Sequence, residues 1–320
     1  MQAIVMTDTG GPEVLVPRRV PEPRPGAGEV LVRTTAIPVL YPEIPLRSGA
    51  FPMVTPPPVV FGYQAAGEVV EVGTGVAPDL LGRRVVATTA GAGSYAEYVC
   101  AAAENTTPIP DTVSTDDAAA AMMSGSIALA LLETAHLTGT EPVLIEAGAT
   151  GVGSYLVQLA REFGAAQVIA TAGGSAKLEH TRALGADQVI DHRQEGWPET
   201  LAPGTVDIVF DSLGGTTAAA LLPAVTPGRG HILTYGWLSG SPAQISAADL
   251  IPGGLTLTAC TGPVWQQRVH RARVDILART PTLAPPVGTV LPLDEAAHAH
   301  QLVESRRLLG KIILRPPANP

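Results

Sequence analysis

The sequence is poor in the residues on which several protein classes depend. Its two cysteines, Cys100 and Cys260, are too few for a disulfide framework or a four-cysteine zinc site. Acids and bases are scattered over a chain of net charge −9, which disfavours nucleic acid as a partner. No apolar run reaches the roughly 20 residues that span a bilayer. These absences favour a protein of the reducing cytoplasm without nucleic acid or membrane partners.

What the sequence does contain is enough apolar material for about two domains, since 46% of its 320 residues are hydrophobic. Residues 1–118 alternate short apolar runs with Gly and Pro clusters, a pattern typical of β structure. From residue 119 to residue 264, strands alternate with helices, which favours a parallel sheet with crossover helices. Residues 265–320 hold too few elements for a domain of their own, and we expect them to return to the β-rich domain.

A glycine-rich turn, residues 148–153, joins the strand Val143–Glu146 to an amphipathic helix. In dinucleotide-binding sheets the first glycine of such a turn forms the bend, and the third lets the helix pack closely on the strand. The helix N-terminus then offers N–H groups to a diphosphate. An ordinary βα turn is the alternative. We predict a Rossmann-type doubly wound sheet in which the cofactor-binding residues of this turn are Gly148, Thr150, Gly151, Val152 and Gly153.

The end of the second strand indicates which nicotinamide cofactor is bound. NAD enzymes place an acid about 20 residues after the glycine turn, but residues 171–177 contain none. Ser175, Lys177 and Arg193 are candidates for holding a 2′-phosphate, although Ser175 is also a good helix N-cap and Lys177 an ordinary surface lysine. Gly236, which follows another strand, is a further candidate cofactor residue. The sequence therefore predicts NADPH.

Further segments carry a family resemblance over essentially the whole chain. They are Gly62-Tyr63-Gln64-Ala65-Ala66-Gly67 with Val69 and Gly73, Gly82-Arg83-Arg84-Val85, Tyr95-Ala96-Glu97-Tyr98, Leu184-Gly185-Ala186-Asp187, Phe210-Asp211 with Gly214, and Gly310-Lys311-Ile312-Ile313-Leu314. With the glycine turn, they resemble the medium-chain dehydrogenase/reductase superfamily, and within it the zinc-free quinone oxidoreductase group. The resemblance implies a GroES-like substrate domain at 1–118 and 265–320 and a Rossmann domain at 119–264.

The resemblance also bears on metal content. Where the zinc enzymes of the superfamily carry a His-Glu pair, this chain has Tyr63-Gln64, and residues 121–124 contain no thiolate. No metal site is therefore expected, and zinc alcohol dehydrogenase is the least favoured alternative. Without a metal, the easier reaction is hydride addition to the electron-poor C=C bond of an enone, enoyl or quinone substrate, because the enolate formed needs only hydrogen-bond support.

The predicted substrate pocket departs from both zinc-free subgroups. Leu40 and Glu43 stand where quinone oxidoreductases carry an Asn and an Asp, and Phe51 stands where enoyl-thioester reductases carry a Tyr. Tyr41 is the candidate for a hydrogen bond to the substrate carbonyl or enolate, with a packed core tyrosine as the alternative. We expect the pocket to be lined by Leu40, Glu43, Phe51, Tyr63, Met123 and Trp237.

The charged groups near these positions are expected to have structural roles. Glu43 and Arg47 are predicted to form an ion pair with each other. His270, His298 and His300 lie in segments predicted to be helical and exposed, and none of them is a catalytic candidate.

Two alternative functions stay open at this point. One is a reductive cyclase of natural-product biosynthesis, in which hydride addition triggers ring closure; the missing tyrosine at Phe51 motivates it. The other is a non-catalytic NADPH-binding protein. The strand Leu255–Ala259 is predicted at the far edge of the cofactor sheet, where the family resemblance implies pairing with a second copy in a homodimer.

Overall fold

The computed structural model describes residues 1–284 and 287–317. They form two compact units, one comprising Met1–Met122 and the chain from Val274 onward, the other Met123–Arg273. The divisions after Met122 and Arg273 lie a little later in the chain than the domain boundaries predicted after residues 118 and 264. The predicted domain bounds, 1–118 with 265–320 and 119–264, stay a prediction.

Strands and helices are numbered in chain order. The strands are β1 (Gln2–Met6), β2 (Leu15–Arg19), β3 (Glu29–Pro38), β4 (Val59–Val60), β5 (Gln64–Val72), β6 (Arg84–Thr88), β7 (Tyr98–Ala102), β8 (Thr106–Pro108), β9 (Pro142–Ile145), β10 (Gln167–Ala172), β11 (Gln188–Asp191), β12 (Ile208–Asp211), β13 (His231–Thr234), β14 (Thr256–Ala259), β15 (Val287–Pro292) and β16 (Lys311–Arg315). The helices are α1 (Glu43–Arg47), α2 (Thr115–Ala135), α3 (Gly151–Leu159), α4 (Ser175–Ala183), α5 (Gly215–Ala220), α6 (Ala247–Leu250), α7 (Gly262–Arg279) and α8 (Ala296–Glu304).

The first unit is β-rich. Its larger sheet has the order β15-β16-β3-β5-β6-β8, with β7 paired to β3, and a smaller sheet has the order β2-β1-β4. Strands β15 and β16 from the end of the chain join the sheet of the N-terminal residues, as the sequence predicted. Alternate residues of these strands and the apolar face of α8 enclose one core, which includes Ile4, Phe61, Tyr95 and Ile312.

The second unit holds the parallel sheet, with the order β11-β10-β9-β12-β13-β14. Numbered from the first strand of this sheet, that order is 3-2-1-4-5-6, which is typical of dinucleotide-binding sheets. The direction of strand progression reverses between β9 and β12, and ligands of such sheets bind in the crevice beyond the carboxyl ends at this switch point. The predicted fold class, a Rossmann-type sheet with a separate GroES-like β-rich domain, is confirmed.

Burial explains the sequence pattern of the central strands. Val143, Leu144 and Ile145 of β9 are all buried because the sheet is covered on both faces, so the strand is a continuous apolar run rather than an alternating one. Helix α3 packs the face containing Tyr155, Leu156 and Leu159 against the sheet.

His300 is buried rather than exposed, because α8 turns it into the core of the first unit; the predicted exposure was wrong for this histidine. Ser175 is the first residue of α4, and Gly174 occupies the N-cap, so the predicted capping role of Ser175 was also wrong.

Helix α2 is long and apolar enough to cross a membrane by composition. However, 78% of its most apolar 18-residue segment is buried in the fold, as in the core helix of a soluble protein.

Candidate functional site

The glycine turn of the second unit has the geometry that a diphosphate site requires. Helix α3 begins at Gly151, and the N-cap residue Thr150 makes no side-chain hydrogen bond to the first turn. Its hydroxyl instead donates to the carbonyl of Ala147 at 2.8 Å. The first N–H groups of α3 are therefore left for another acceptor. A Cβ atom at Gly153 would lie 2.3 Å from the carbonyl oxygen of Ala147, so only glycine allows this close approach of helix and strand.

A second candidate cofactor element lies at the carboxyl ends of β10 and β11. The guanidinium of Arg193 is held by Asp191, whose Oδ2 lies 3.0 Å from Nη2 of Arg193. The guanidinium covers Gly174, where a Cβ atom would lie 2.8 Å from Nη1. Gly174 has a φ of +89°, which favours glycine at this position. The side chain of Arg193 is 63% exposed, so its charge faces solvent beside the position where the adenosine ribose of a dinucleotide is expected.

Asp191 is a residue that the sequence reasoning did not use. No acid follows β10 in the sequence, but the adjacent strand β11 brings Asp191 close enough to accept the N–H of Gly174 at 3.4 Å. The hydrogen bonds from Arg193, followed by those from the backbone, hold its pKa at about 2. The carboxylate is thus engaged by an arginine rather than open to ribose hydroxyls. Pairing the ends of neighbouring parallel strands would have indicated this residue.

The loops after β12 and β13 are tied to each other. Leu238 donates its N–H to the carbonyl of Ser212 at 3.0 Å, and Ser239 donates to the carbonyl of Leu213 at 3.0 Å. Gly236 lies against the first loop, since a Cβ atom there would be 2.8 Å from the oxygen of Ser212. These loops border the carboxyl edge of the sheet, and the contact of Gly236 with the cofactor stays a prediction.

Glu43 organises the candidate substrate site of the first unit. Its carboxylate is fully buried, and Oε2 accepts the N–H of Leu40 at 2.8 Å and the hydroxyl of Tyr95 at 2.7 Å. Oε1 accepts the N–H of Tyr63 at 3.0 Å. Glu43 therefore joins the turn that carries Tyr41 to the segment that carries Tyr63. The sequence assigned Leu40, Glu43 and Tyr63 to one predicted pocket but did not indicate the hydrogen bonds that Glu43 makes.

The predicted ion pair between Glu43 and Arg47 was wrong. Arg47 is also buried, but its guanidinium pairs with Glu304 at the end of α8 and donates to the carbonyl of Gly10 at 2.8 Å. The two residues lie four apart on the short helix α1, a spacing that suggests a pair from sequence alone. The tertiary partners from α8 and from the loop at Gly10 take precedence.

Burial raises the pKa of Glu43 to about 7, against the opposing effect of its hydrogen bonds and of Lys311. Burial lowers the pKa of Lys311 to about 8, and Glu43 opposes this shift. His300, whose Nε2 lies 3.1 Å from the Tyr95 hydroxyl, has its pKa lowered to about 3 by burial and then by Arg47, so it is neutral. The group Glu43, Tyr95 and His300 is thus a buried hydrogen-bonded cluster.

The predicted pocket residues differ in exposure. Tyr41 is partly exposed, which disfavours the alternative of a packed core tyrosine. Phe51 is 40% exposed, and in the second unit Trp237 is 47% exposed and Met123 partly buried. Leu40, with only 1% of its surface exposed, is part of the core instead. Tyr63 is partly buried and packs on Gly91, where a Cβ atom would lie 2.9 Å from its ring.

One position of the His-Glu pair of the zinc enzymes has a structural contact here. Gln64 is buried and donates its amide to the carbonyl of Ala119 at 2.8 Å, at the start of α2. Within residues 1–284 and 287–317, no cluster of three or more His, Cys, Asp or Glu side chains is arranged to hold a metal ion. Cys100 and Cys260 are both free thiols.

Comparison with known proteins identifies the family. Residues 26–111 match the alcohol dehydrogenase GroES-like domain, and residues 151–277 match the zinc-binding dehydrogenase domain. A 2-haloacrylate reductase of Burkholderia sp. is 32% identical over 99% of this chain and 100% of its own length. The quinone oxidoreductase of Pseudomonas aeruginosa is 32% identical over 96% of this chain and 97% of its own length.

Among solved structures, Escherichia coli quinone oxidoreductase complexed with NADPH matches with a TM-score of 0.89 at 29% identity, covering 99% of this chain and 100% of that chain. The chain belongs to the medium-chain dehydrogenase/reductase superfamily, in its quinone oxidoreductase-like group. The family predicted from the sequence is confirmed. The roles of the individual site residues stay predictions.

Proposed function

We propose that this protein is an NADPH-dependent reductase that adds hydride to the electron-poor C=C bond of an enone, an enoyl compound or a quinone. The cofactor assignment rests on one arrangement in the second unit: the glycine turn at the start of α3, with Arg193 beside the end of β10. The relative complexed with NADPH and the relatives named quinone oxidoreductase and 2-haloacrylate reductase support it. A 2-haloacrylate itself contains an electron-poor C=C bond, which favours hydride addition to a bond of this kind.

NADPH supplies the hydride when it is bound. The N–H groups at the start of α3 receive its diphosphate, and the positive end of the helix favours that charge. Arg193 receives the 2′-phosphate, because a guanidinium binds phosphate oxygens in a bidentate manner. Asp191 keeps the guanidinium in place and, being occupied by it, offers less to the 2′-hydroxyl of NADH.

Tyr41 is the proposed hydrogen-bond donor to the substrate oxygen. Its turn is anchored by two hydrogen bonds: Oε2 of Glu43 accepts the N–H of Leu40 at 2.8 Å, and Ile44 donates to the carbonyl of Tyr41 at 3.0 Å. A donor held in advance stabilises the negative charge that develops on the oxygen as hydride arrives at the β carbon. The proton that completes the reduction comes from water.

The protein is further proposed to be a cytoplasmic homodimer. Both cysteines are free thiols, as expected in a reducing compartment. Strand β14 pairs with β13 along one edge, and in the described residues its other edge is not paired. A second copy related by a two-fold axis satisfies those backbone groups.

Steady-state oxidation of NADPH in the presence of an enone, a quinone and an acrylate tests the proposal. We expect turnover of at least one of them well above the rate without enzyme, and a drop in kcat/KM of about tenfold to a hundredfold for Tyr41→Phe. Tyr63→Phe, whose backbone N–H contact with Glu43 is unchanged, is the matched control and is expected to keep most of the activity.

The same assay separates the rival functions. NADPH binding without turnover of any acceptor would indicate the non-catalytic alternative and contradict the proposal. If a substrate with an internal electrophile gave a cyclic product, the reaction would be the reductive cyclisation of natural-product biosynthesis rather than simple reduction.

A further inference from the structure

A pair of buried acids lies at the switch point of the parallel sheet. Glu146 directly follows β9, and Asp211 ends β12. In the parallel register Phe210 is opposite Ile145, so Asp211 and Glu146 are the next facing positions on these strands. Both side chains have 0% of their surface exposed. Two adjacent carboxyl groups without solvent cannot both carry a negative charge at low cost.

One oxygen of each carboxyl group has backbone partners. Oε2 of Glu146 accepts the N–H groups of Ser212 and Leu213, both at 3.2 Å. Oδ1 of Asp211 accepts the N–H of Gly214 at 2.7 Å. The remaining oxygens, Oε1 of Glu146 and Oδ2 of Asp211, are buried and have no donor among the described residues. A proton held between the two carboxyl groups satisfies both of these oxygens at once.

Among the described residues, the main influences on the pKa of Glu146 include no cation. Burial, and then the Asp211 carboxyl, hold the pKa of Glu146 well above its usual range. Tyr235, which follows β13, has a buried hydroxyl, and its pKa is raised by burial and by Glu146, Asp211 and Cys260. Asp211 of β12 and Tyr235 after β13 thus place an acid and a phenol beside Glu146, both of which are neutral or negative.

The pair controls the loops that border the cofactor crevice. Glu146 and Asp211 together bind three consecutive N–H groups, those of residues 212–214. The carbonyls of Ser212 and Leu213 in turn accept the N–H groups of Leu238 and Ser239. The two carboxyl groups therefore fix the loop after β12, and through it the loop that contains Gly236.

We propose that Glu146 and Asp211 share one proton across the switch point, and that this shared proton holds the loops after β12 and β13 in the conformation that binds NADPH. When the pair loses the proton at high pH, two adjacent carboxylates repel each other and the loops loosen. The negative charge also disfavours the diphosphate nearby. The result is a cofactor affinity that falls as the pH rises. Both residues act as positioning residues.

The test is the dissociation constant of NADPH, measured by titration from about pH 6.5 to about pH 9.5 with the full chain. The wild type is expected to bind NADPH about tenfold more weakly at the upper end, which corresponds to a pKa of the pair about one unit higher in the NADPH-bound protein than in the free protein. Glu146→Gln places an amide N–H against Asp211 permanently, so its affinity is expected to change little over the same range. Glu133→Gln, an exposed position on α2, controls for the loss of one charge.

Asp211→Asn gives an independent variant, because its amide donates to Glu146 while its oxygen still accepts from Gly214. It is expected to show the same flat profile as Glu146→Gln. Identical pH profiles for wild type and both amide variants would overturn the proposal. Since the readout is cofactor binding without substrate, such a result leaves the proposed reductase activity unaffected, and a lack of turnover leaves the proton-sharing pair unaffected.

Discussion

The hydroxyl of Tyr95 donates a hydrogen bond of 2.7 Å to Oε2 of Glu43, in the interior of the β-rich unit. That one contact links the β-sheet core to the turn that carries Tyr41. Glu43 also accepts two backbone N–H groups, so it is the centre of the local structure rather than a surface acid. The stability of the candidate substrate site therefore depends on a buried carboxyl group.

Stability should depend on pH through Glu43. Its pKa is about 7 in the folded protein and 4.5 as the ordinary value, so the folded state holds a proton that the unfolded chain releases between these values. The free energy of unfolding is expected to fall by about 3 kcal/mol from pH 4.5 to pH 7 on account of this group. Urea denaturation across this range measures the change.

Glu43→Gln is the comparison for that measurement. The variant is expected to be less stable at acidic pH, since an amide N–H₂ faces one of the backbone donors. The decrease in its free energy of unfolding between pH 4.5 and pH 7 should, however, be smaller than in the wild type. Tyr95→Phe, which removes one donor, is expected to cost about 1–3 kcal/mol. If the free energy of unfolding decreased equally in wild type and Glu43→Gln over this pH range, groups other than Glu43 would be the cause.

Arg193 should set the preference for NADPH over NADH. Arg193→Ala removes the phosphate contact and frees Asp191, so the dissociation constant of NADPH should rise about tenfold or more while that of NADH stays the same or falls. Fluorescence titration with both cofactors measures this. Lys177→Ala is the matched loss of a cation from α4 and is expected to have a smaller effect; a larger effect there would move the phosphate site to Lys177.

Gly153 should not tolerate a side chain. In Gly153→Ala the new Cβ would approach the carbonyl oxygen of Ala147 to 2.3 Å, so α3 must move away from β9. We expect NADPH binding at least tenfold weaker and a lower melting temperature. Ser154→Ala, one residue further along the helix, loses only a hydrogen bond to Gly151 and is the control. Unchanged NADPH binding by Gly153→Ala would contradict the placement of the diphosphate.

The edge of β14 should decide the oligomeric state. Thr256 donates its N–H to Gly230 and Cys260 to Thr234, so the N–H of Leu257, which alternates with them, points away from β13. Leu257→Pro removes that donor, and light scattering should then give about the 32.9 kDa of one chain, against twice that value for wild type and for Leu257→Val. A monomeric wild type would refute the dimer.

The sequence was sufficient for the parallel sheet and for the glycine turn that precedes α3 because both depend on local patterns, whereas the GroES-like domain came from the family resemblance. The apolar run of β9, the glycines after it and the periodic face of α3 are contiguous in the chain. The partners of buried charges were not predictable in this way. Arg47 pairs with Glu304 and Glu43 with Tyr95, contacts between residues far apart in sequence, and the helical spacing of Glu43 and Arg47 suggested the wrong pair.

Asp191 and Glu146 show an intermediate case. Each stands at the carboxyl end of a strand that the sequence predicts, so its edge of the sheet was predictable. The residue that it faces on the adjacent strand was not predictable, because strand order is a tertiary property. Once the order β11-β10-β9-β12 is known, Asp191 comes to lie beside Gly174 and Glu146 beside Asp211.

The most direct test of the account is hydride transfer itself. NADPH carrying deuterium at both C4 positions is incubated with the protein and an enone, and the product is analysed by mass spectrometry and NMR. We predict one deuterium on the β carbon of the saturated product for each NADPH consumed. NADPH consumption without deuterium in the product, or no consumption with any electron-poor alkene or quinone, would contradict the account.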